Sequence, residues 1–136
     1  MLLVLDTNEY IFAFGLAKKQ SCREVISLLE DKFPSHNIRI SRLIVEEVRN
    51  NLSPEEFKEF ILFINSLTKI DEDILVPFEL AAKYEFQGFQ PEDAFIAAYV
   101  EFVGADALVT ENRHFLSREK ELLFRVVTAS EILAEL

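Results

Sequence analysis

Leu2-Leu3-Val4-Leu5 is an unbroken apolar run that stops at a carboxylate, Asp6, followed at once by Thr7 and Asn8. A strand that is apolar on both faces must be covered on both faces, which is the situation of a strand inside a parallel sheet. Ile38 to Ser41, Ala107 to Thr110 and Arg125 to Thr128 read as further short strands. Between them the apolar spacing changes to that of helices. Strands alternating with helices along the whole chain predict an α/β structure layered around one parallel sheet.

The helical segments carry recognisable ends. Thr7 to about Phe14 is a short helix that stops near Gly15. Ser21 is placed to cap a helix from Cys22 to Lys32, whose Val25, Ile26, Leu28 and Leu29 face inward. Arg42 to about Asn51 is helical. Ser53-Pro54-Glu55-Glu56 combines an N-cap, a proline at the first helical position and a Glu at the third, and opens a helix to about Leu67. Its Phe57, Phe60, Ile61, Phe63, Ile64 and Leu67 suit core packing, or else a groove for a partner helix. Lys69 to Leu75 is a loop or short strand. Further helices run from Pro77 to near Gly88, from Pro91 to Val103 before Gly104, and from Ala129 to Leu136, and a short one falls between Phe115 and Leu123. With 136 residues, the chain has the length of a single domain.

Charge narrows the function. Fourteen basic residues face 24 acidic ones, a net charge of -10, so there is no broad basic surface of the kind nucleic-acid binders present. A polynucleotide substrate would have to be held by metal ions and a few local cations. The single cysteine, Cys22, excludes an intramolecular disulfide and a cysteine-based zinc centre, reads as a small core residue, and fits a reducing cytoplasm. The N-terminus has neither the basic start nor the cleavage site of a signal peptide, and no apolar run approaches the ~20 residues of a membrane span.

Several acids are poorly explained as ordinary surface charge. Asp6 sits at the carboxyl end of a strand, where open α/β sheets bind ligands. It can also cap the following helix, although Thr7 and Asn8 could do so equally well. On the helix from Arg42, Ile44, Val45, Val48 and Leu52 form the apolar arc; Glu47 flanks it and Glu46 points into solvent. Asp93 enters a helix whose next ten residues contain one charge, Glu101, and it lies on the face of Ile96, Ala97 and Val100. It favours the helix dipole there, but Glu92 would serve as well from a more exposed position. A carboxylate on an apolar face is costly unless paired or metal-bound. A fourth polar group, Thr110, Glu111 and Asn112, follows another strand, with Arg113 and His114 beyond it; Asp106, at the other end of that strand, reads as a turn residue. Acids gathered at strand ends without a thiol or histidine cluster suit Mg²⁺ or Mn²⁺, which prefer oxygen ligands and can hold and activate phosphate esters.

Together these stretches resemble the PIN-domain family, specifically the VapC-type toxins of prokaryotic toxin–antitoxin pairs. "LVLDTN" at 3–8 is similar to the family's opening strand with its first metal ligand, Asp6; "ISRLIVEEV" at 40–48 to the helix bearing the second acid, Glu47; and "PEDAFIAAYVEFVGADALVTENRHF" at 91–115 to the signature carrying the third, Asp93. The resemblance implies an α/β/α sandwich around a parallel sheet and a cytoplasmic, metal-dependent ribonuclease in which Mg²⁺ or Mn²⁺ activates water against an RNA phosphodiester. Catalytic and metal roles then fall on Asp6, Glu47, Asp93 and Asn112. Thr7, Asn8, Ser41 and Thr110 become supporting or phosphate contacts, and Arg42, Arg113 and His114 the nearest cations for the RNA backbone. It further implies a homodimer and a cognate antitoxin, for which the phenylalanine-rich helix from Pro54 to Leu67 offers a surface.

The sequence departs from the pattern at Asn112, where many members carry an aspartate. Glu111 beside it is a candidate to compensate. The departure motivates the alternative reading, a catalytically weakened PIN domain acting as a protein- or RNA-binding module. A phosphotransfer receiver or haloacid-dehalogenase-like phosphatase fits less well, because neither the required lysine after a late strand nor, for the latter, a second aspartate at position 8 is present.

Overall fold

The computed structural model describes residues 1–136. Five strands, β1 (Leu2–Leu5), β2 (Asn37–Ser41), β3 (Ile70–Asp71), β4 (Ala107–Val109) and β5 (Arg125–Val127), form one parallel sheet in the order β3-β2-β1-β4-β5. Eight helices connect and follow them: α1 (Thr7–Phe14), α2 (Gln20–Lys32), α3 (Arg42–Arg49), α4 (Pro54–Leu67), α5 (Phe78–Phe86), α6 (Pro91–Val103), α7 (Arg113–Leu116) and α8 (Ala129–Leu133). Short 3₁₀ turns cover Asp73–Leu75 and Glu119–Glu121.

The apolar opening run is the central strand, and Leu3, Val4 and Leu5 are fully buried. From β1 the chain builds outward to β2 and β3, then returns past β1 to build β4 and β5. Right-handed crossovers in these two directions put their helices on opposite faces. The contacts agree: α1 packs with α2, α3 and α4, and α8 joins α2, whereas α5 packs with α6. The result is a three-layer α/β/α arrangement. The order reverses between β1 and β4, which opens a crevice at the carboxyl ends of those strands.

Sequence and structure agree on β1, β2, β4 and β5 to within a residue, while the segment read as a loop or short strand from Lys69 to Leu75 holds the two-residue strand β3 and a 3₁₀ turn. Helix α2 differs at its start. It begins at Gln20 with Lys19 at the cap position and no capping side chain, so Ser21 lies inside the helix, and Leu28 is only half-buried. The capping box of α4 forms as expected, with Ser53 Oγ accepting from Glu56 N at 3.2 Å and Ser53 N donating to Glu56 Oε1 at 2.8 Å. Most of the aromatic stripe of this helix is core, with Phe57 and Ile61 half-buried at its edge. Phe60 and Ile64 are fully buried, and Phe60 meets Tyr10 edge-on at 5.0 Å between ring centres and Phe14 at 5.8 Å. Helix α6 ends where Gly104 takes a left-handed conformation, φ 69°. Asp106 accepts a hydrogen bond from Leu2 N at 2.7 Å and ties the amino ends of β1 and β4 together. No helix is long and apolar enough to cross a membrane.

Candidate metal-binding active site

The crevice beside β1 is a cavity of about 440 Å³ lined by Asp6, Thr7, Asn8, Ile11, Glu47, Asn50, Asn51, Glu92, Asp93, Ile96 and Asn112. Four of these are carboxylates and none is Lys or Arg. Parallel register places the ends of β1 and β4 at one level, since Leu5 pairs with Val109 and Asp6 N donates to Val109 O at 2.9 Å. Asp6 thus leaves the central strand at the cavity floor, 7% exposed. Its Oδ1 accepts from Thr7 N at 2.8 Å, and its Oδ2 accepts from Thr110 Oγ1 at 2.7 Å. Each oxygen retains a lone pair, because a carboxylate has about four acceptor sites.

The remaining acids come from two helices. Glu47 projects from α3 and accepts from Thr7 Oγ1 at 2.9 Å. Asp93 projects from the first turn of α6, half-buried, and lines the cavity together with Asn112. Burial raises the carboxyls of Asp6, Glu47 and Asp93 above their ordinary values. Like charge adds to this: Asp93 acts on Asp6, while Glu92 acts on Glu47 and Asp93. The hydroxyls of Thr110 and Thr7 work in the other direction on Asp6 and Glu47, and His114 does so on Asp93. Carboxylates are therefore crowded in a cavity whose own lining holds no basic residue, with His114 beside Asp93 at its edge, and the polar groups that line it are carboxylates, hydroxyls and amides. That donor set fits a hard divalent cation of the Mg²⁺ or Mn²⁺ class.

The other candidate residues divide. Thr7, Asn8 and Asn112 line the cavity, and Thr110 supports it from beneath, fully buried. Ser41 does not reach it; its Oγ caps α3 at Ile44 N, 3.4 Å away. Arg42 is paired with Glu72 at 2.7 Å. Arg113 and His114 are exposed, and His114 shares a smaller adjoining pocket with Asp93 and Arg118. Asn112 uses Oδ1 to cap α7 at His114 N, 2.9 Å away. Glu111 does not compensate for Asn112. Successive residues leaving a strand point in opposite directions, so Thr110 and Asn112 face the acids while Glu111 turns to Lys19 Nζ at 3.0 Å and Ala129 N at 3.0 Å.

Glu92, Asn50 and Asn51 also line the cavity, although the sequence did not single them out. Asn50 and Asn51 follow Glu47 by three and four residues, a helical spacing that places them near it. Glu92 carried no such signal, because what brings it to Glu47 is the approach of α6 to α3.

Solved structures place this architecture. Over 94% of its length the chain is similar to VapBC2 from Rickettsia felis, a complex bound to a DNA fragment from its promoter, with a TM-score of 0.63, 21% identity and 98% of that chain covered. The chain shares the PIN-like α/β/α fold of this neighbour. FitAcB from Neisseria gonorrhoeae superimposes with a TM-score of 0.62 at 14% identity, covering 94% of this chain and 98% of the other. VapBC-1 from nontypeable Haemophilus influenzae gives 0.60 at 17%, covering 96% and 99%. No protein-family profile and no characterised protein sequence matches the chain. The likeness thus lies in the PIN fold, whose sheet survives at identities where sequence comparison fails.

Proposed function

We propose that this single PIN-like domain is a metal-dependent endoribonuclease, the toxin of a toxin–antitoxin pair, with Asp6, Glu47 and Asp93 as ligands of Mg²⁺ or Mn²⁺ and Asn112 completing the ring. The observation that carries the reading is the convergence of these side chains, from β1, α3, α6 and the turn after β4, in one cavity with no basic residue. A cation bound there would neutralise phosphate charge and activate water. The chain's own residues prepare for this. Thr110 and the Thr7 amide orient Asp6, and the Thr7 hydroxyl orients Glu47. Thr7 and Asn8 stand where phosphate oxygens would enter, while Arg113 and His114, outside the cavity, would steady the RNA backbone.

A protein partner is supported by two observations. The fold neighbours are VapBC and FitAcB complexes. Ile74, Leu75 and Phe78 are exposed by 90%, 53% and 79% around the start of α5, apolar surface that an antitoxin or a second copy would cover. Asn112 favours one alternative, a weakened domain that binds RNA or protein without cutting, since an uncharged amide holds a metal less well.

The two readings separate in one experiment. Single-stranded RNA incubated with Mg²⁺ or Mn²⁺ should be cleaved by the wild type and at least about a hundredfold more slowly by Asp6→Asn and Asp93→Asn, given the several kcal/mol that metal ions contribute to such reactions. Equal rates in all three would sink the proposed mechanism. Mn²⁺ binding without cleavage would favour the binding module.

A further inference from the structure

A second group of donors lies outside this cavity. Glu9 on α1, Cys22 on α2 and Glu111 after β4 bring ligand atoms within 4.8 Å of one another, and none of the three lines the cavity of Asp6. Glu9 is 1% exposed and Cys22 2%. The Cys22 thiol donates to Glu9 Oε2 at 2.9 Å. Glu9 Oε1 is buried with no hydrogen-bond donor. Facing it is the Glu111 carboxylate, which can bond it only by sharing a proton. The nearest cation, Lys19, contacts Glu111 from the outside at 3.0 Å. Without a proton between them, Glu9 and Glu111 leave a buried carboxylate oxygen facing another carboxylate, with no cation inside the cluster to offset it, which is costly.

We propose that Glu9, Cys22 and Glu111 form a site for a borderline divalent cation of the Zn²⁺ type, separate from the oxygen-only cavity; the count of cysteines argued against a zinc centre, but two carboxylates brought to the one thiol by packing complete the donor set. The thiol decides the class of ion: sulfur is a poor ligand for Mg²⁺ and a good one for Zn²⁺. Three protein ligands with water in the fourth position is a common zinc arrangement, and ligands about 2.0–2.3 Å from the ion stand roughly 3.3–3.8 Å apart. The cluster, with one pair at 2.9 Å and all within 4.8 Å, brackets that spacing. Charge also closes: two carboxylates and a thiolate are balanced by the ion together with the Lys19 ammonium. On binding, the Cys22 thiol and the Glu9 carboxyl each release their proton to solvent. The ion would tie α1 and α2 to the turn that carries Thr110, the residue that holds Asp6.

Cobalt(II) titrated into the reduced, chelator-treated protein tests this. A thiolate-to-cobalt charge-transfer band should saturate at one ion per chain and be displaced by Zn²⁺. It should vanish in Cys22→Ser, require at least about tenfold more cobalt in Glu9→Gln, and persist in the Asp6→Asn/Asp93→Asn double variant. No band in the wild type, a band surviving Cys22→Ser, or a band lost with Asp6 and Asp93 would each overturn the proposal. Should Cys22→Ser fail to fold, proton release on Zn²⁺ addition to the Asp6→Asn/Asp93→Asn variant, read with an indicator dye, decides instead: about two protons per ion is expected, and fewer than about one refutes the site.

Discussion

Thr110 shows how much a single hydroxyl does here. It donates to Asp6 Oδ2 and accepts from Asn112 N at 3.0 Å, so one buried oxygen joins the end of the central strand to the turn after β4. Thr110→Val keeps the shape and removes both bonds. Mn²⁺ affinity measured by calorimetry should fall about 10–100-fold, as when a group that orients a metal ligand is lost. The fold should survive, with the orphaned Asn112 amide costing about 1–3 kcal/mol in denaturant unfolding. Asn112 gives a prediction of opposite sign. Asn112→Asp preserves the α7 cap, because Asp caps as well as Asn, and adds a carboxylate beside Asp93. Without metal the variant should melt at a lower temperature than wild type. With Mn²⁺ it should bind more tightly, by about tenfold for one added charged ligand.

At the scale of elements, the helices that carry the acids differ in how they are held. Helix α6 is buried along most of its length, from Ala94 to Val100 with only Phe95 partly open, so Asp93 is placed by packing. Helix α3 is short and is started by the buried Ser41 hydroxyl. Helix α4 begins with a complete capping box, and its aromatic face closes over Tyr10 and Phe14 of α1, the helix that follows Asp6. Ser53→Ala removes one half of that box. It should destabilise the protein by about 1 kcal/mol in chemical unfolding and leave metal affinity unchanged, because α4 contributes nothing to the cavity. A change in affinity would show that α4 positions the site.

For the whole molecule, acidity dominates. Burial, together with Glu111, raises Glu9 from 4.5 to about 9. Asp6, Glu47 and Asp93 are raised as well. A carboxyl whose folded pKa is raised binds its proton more tightly in the folded state. Its stabilisation is complete below the unfolded value and is lost as pH rises through the folded one. With metals chelated, the protein should therefore lose stability steadily between pH 5 and 9, Glu9 alone contributing up to about 1.4 kcal/mol per pH unit. Denaturant midpoints measured across that range check this, and Glu9→Gln should flatten the slope. A profile rising with pH would contradict the buried, protonated state of Glu9.

Local pattern was enough for the elements. The alternation of apolar strands and amphipathic helices, the cap at Ser53 and the stop at Gly104 depend on residues a few positions apart, and sequence reports such spacing directly. The same spacing placed Asp6, Glu47 and Asp93 where they could meet. Direction across the sheet was a different matter. That Glu111 turns away from the acids toward Lys19, that Ser41 stays under its own helix, that the α4 aromatics face the core, and that Glu92 joins the cavity all follow from how separate elements pack. Cys22, read as a small core residue, is buried as expected, yet it ends against a carboxylate 13 residues away. Periodicity shows that a side chain faces inward; only the packing of helices and strands decides what it meets there.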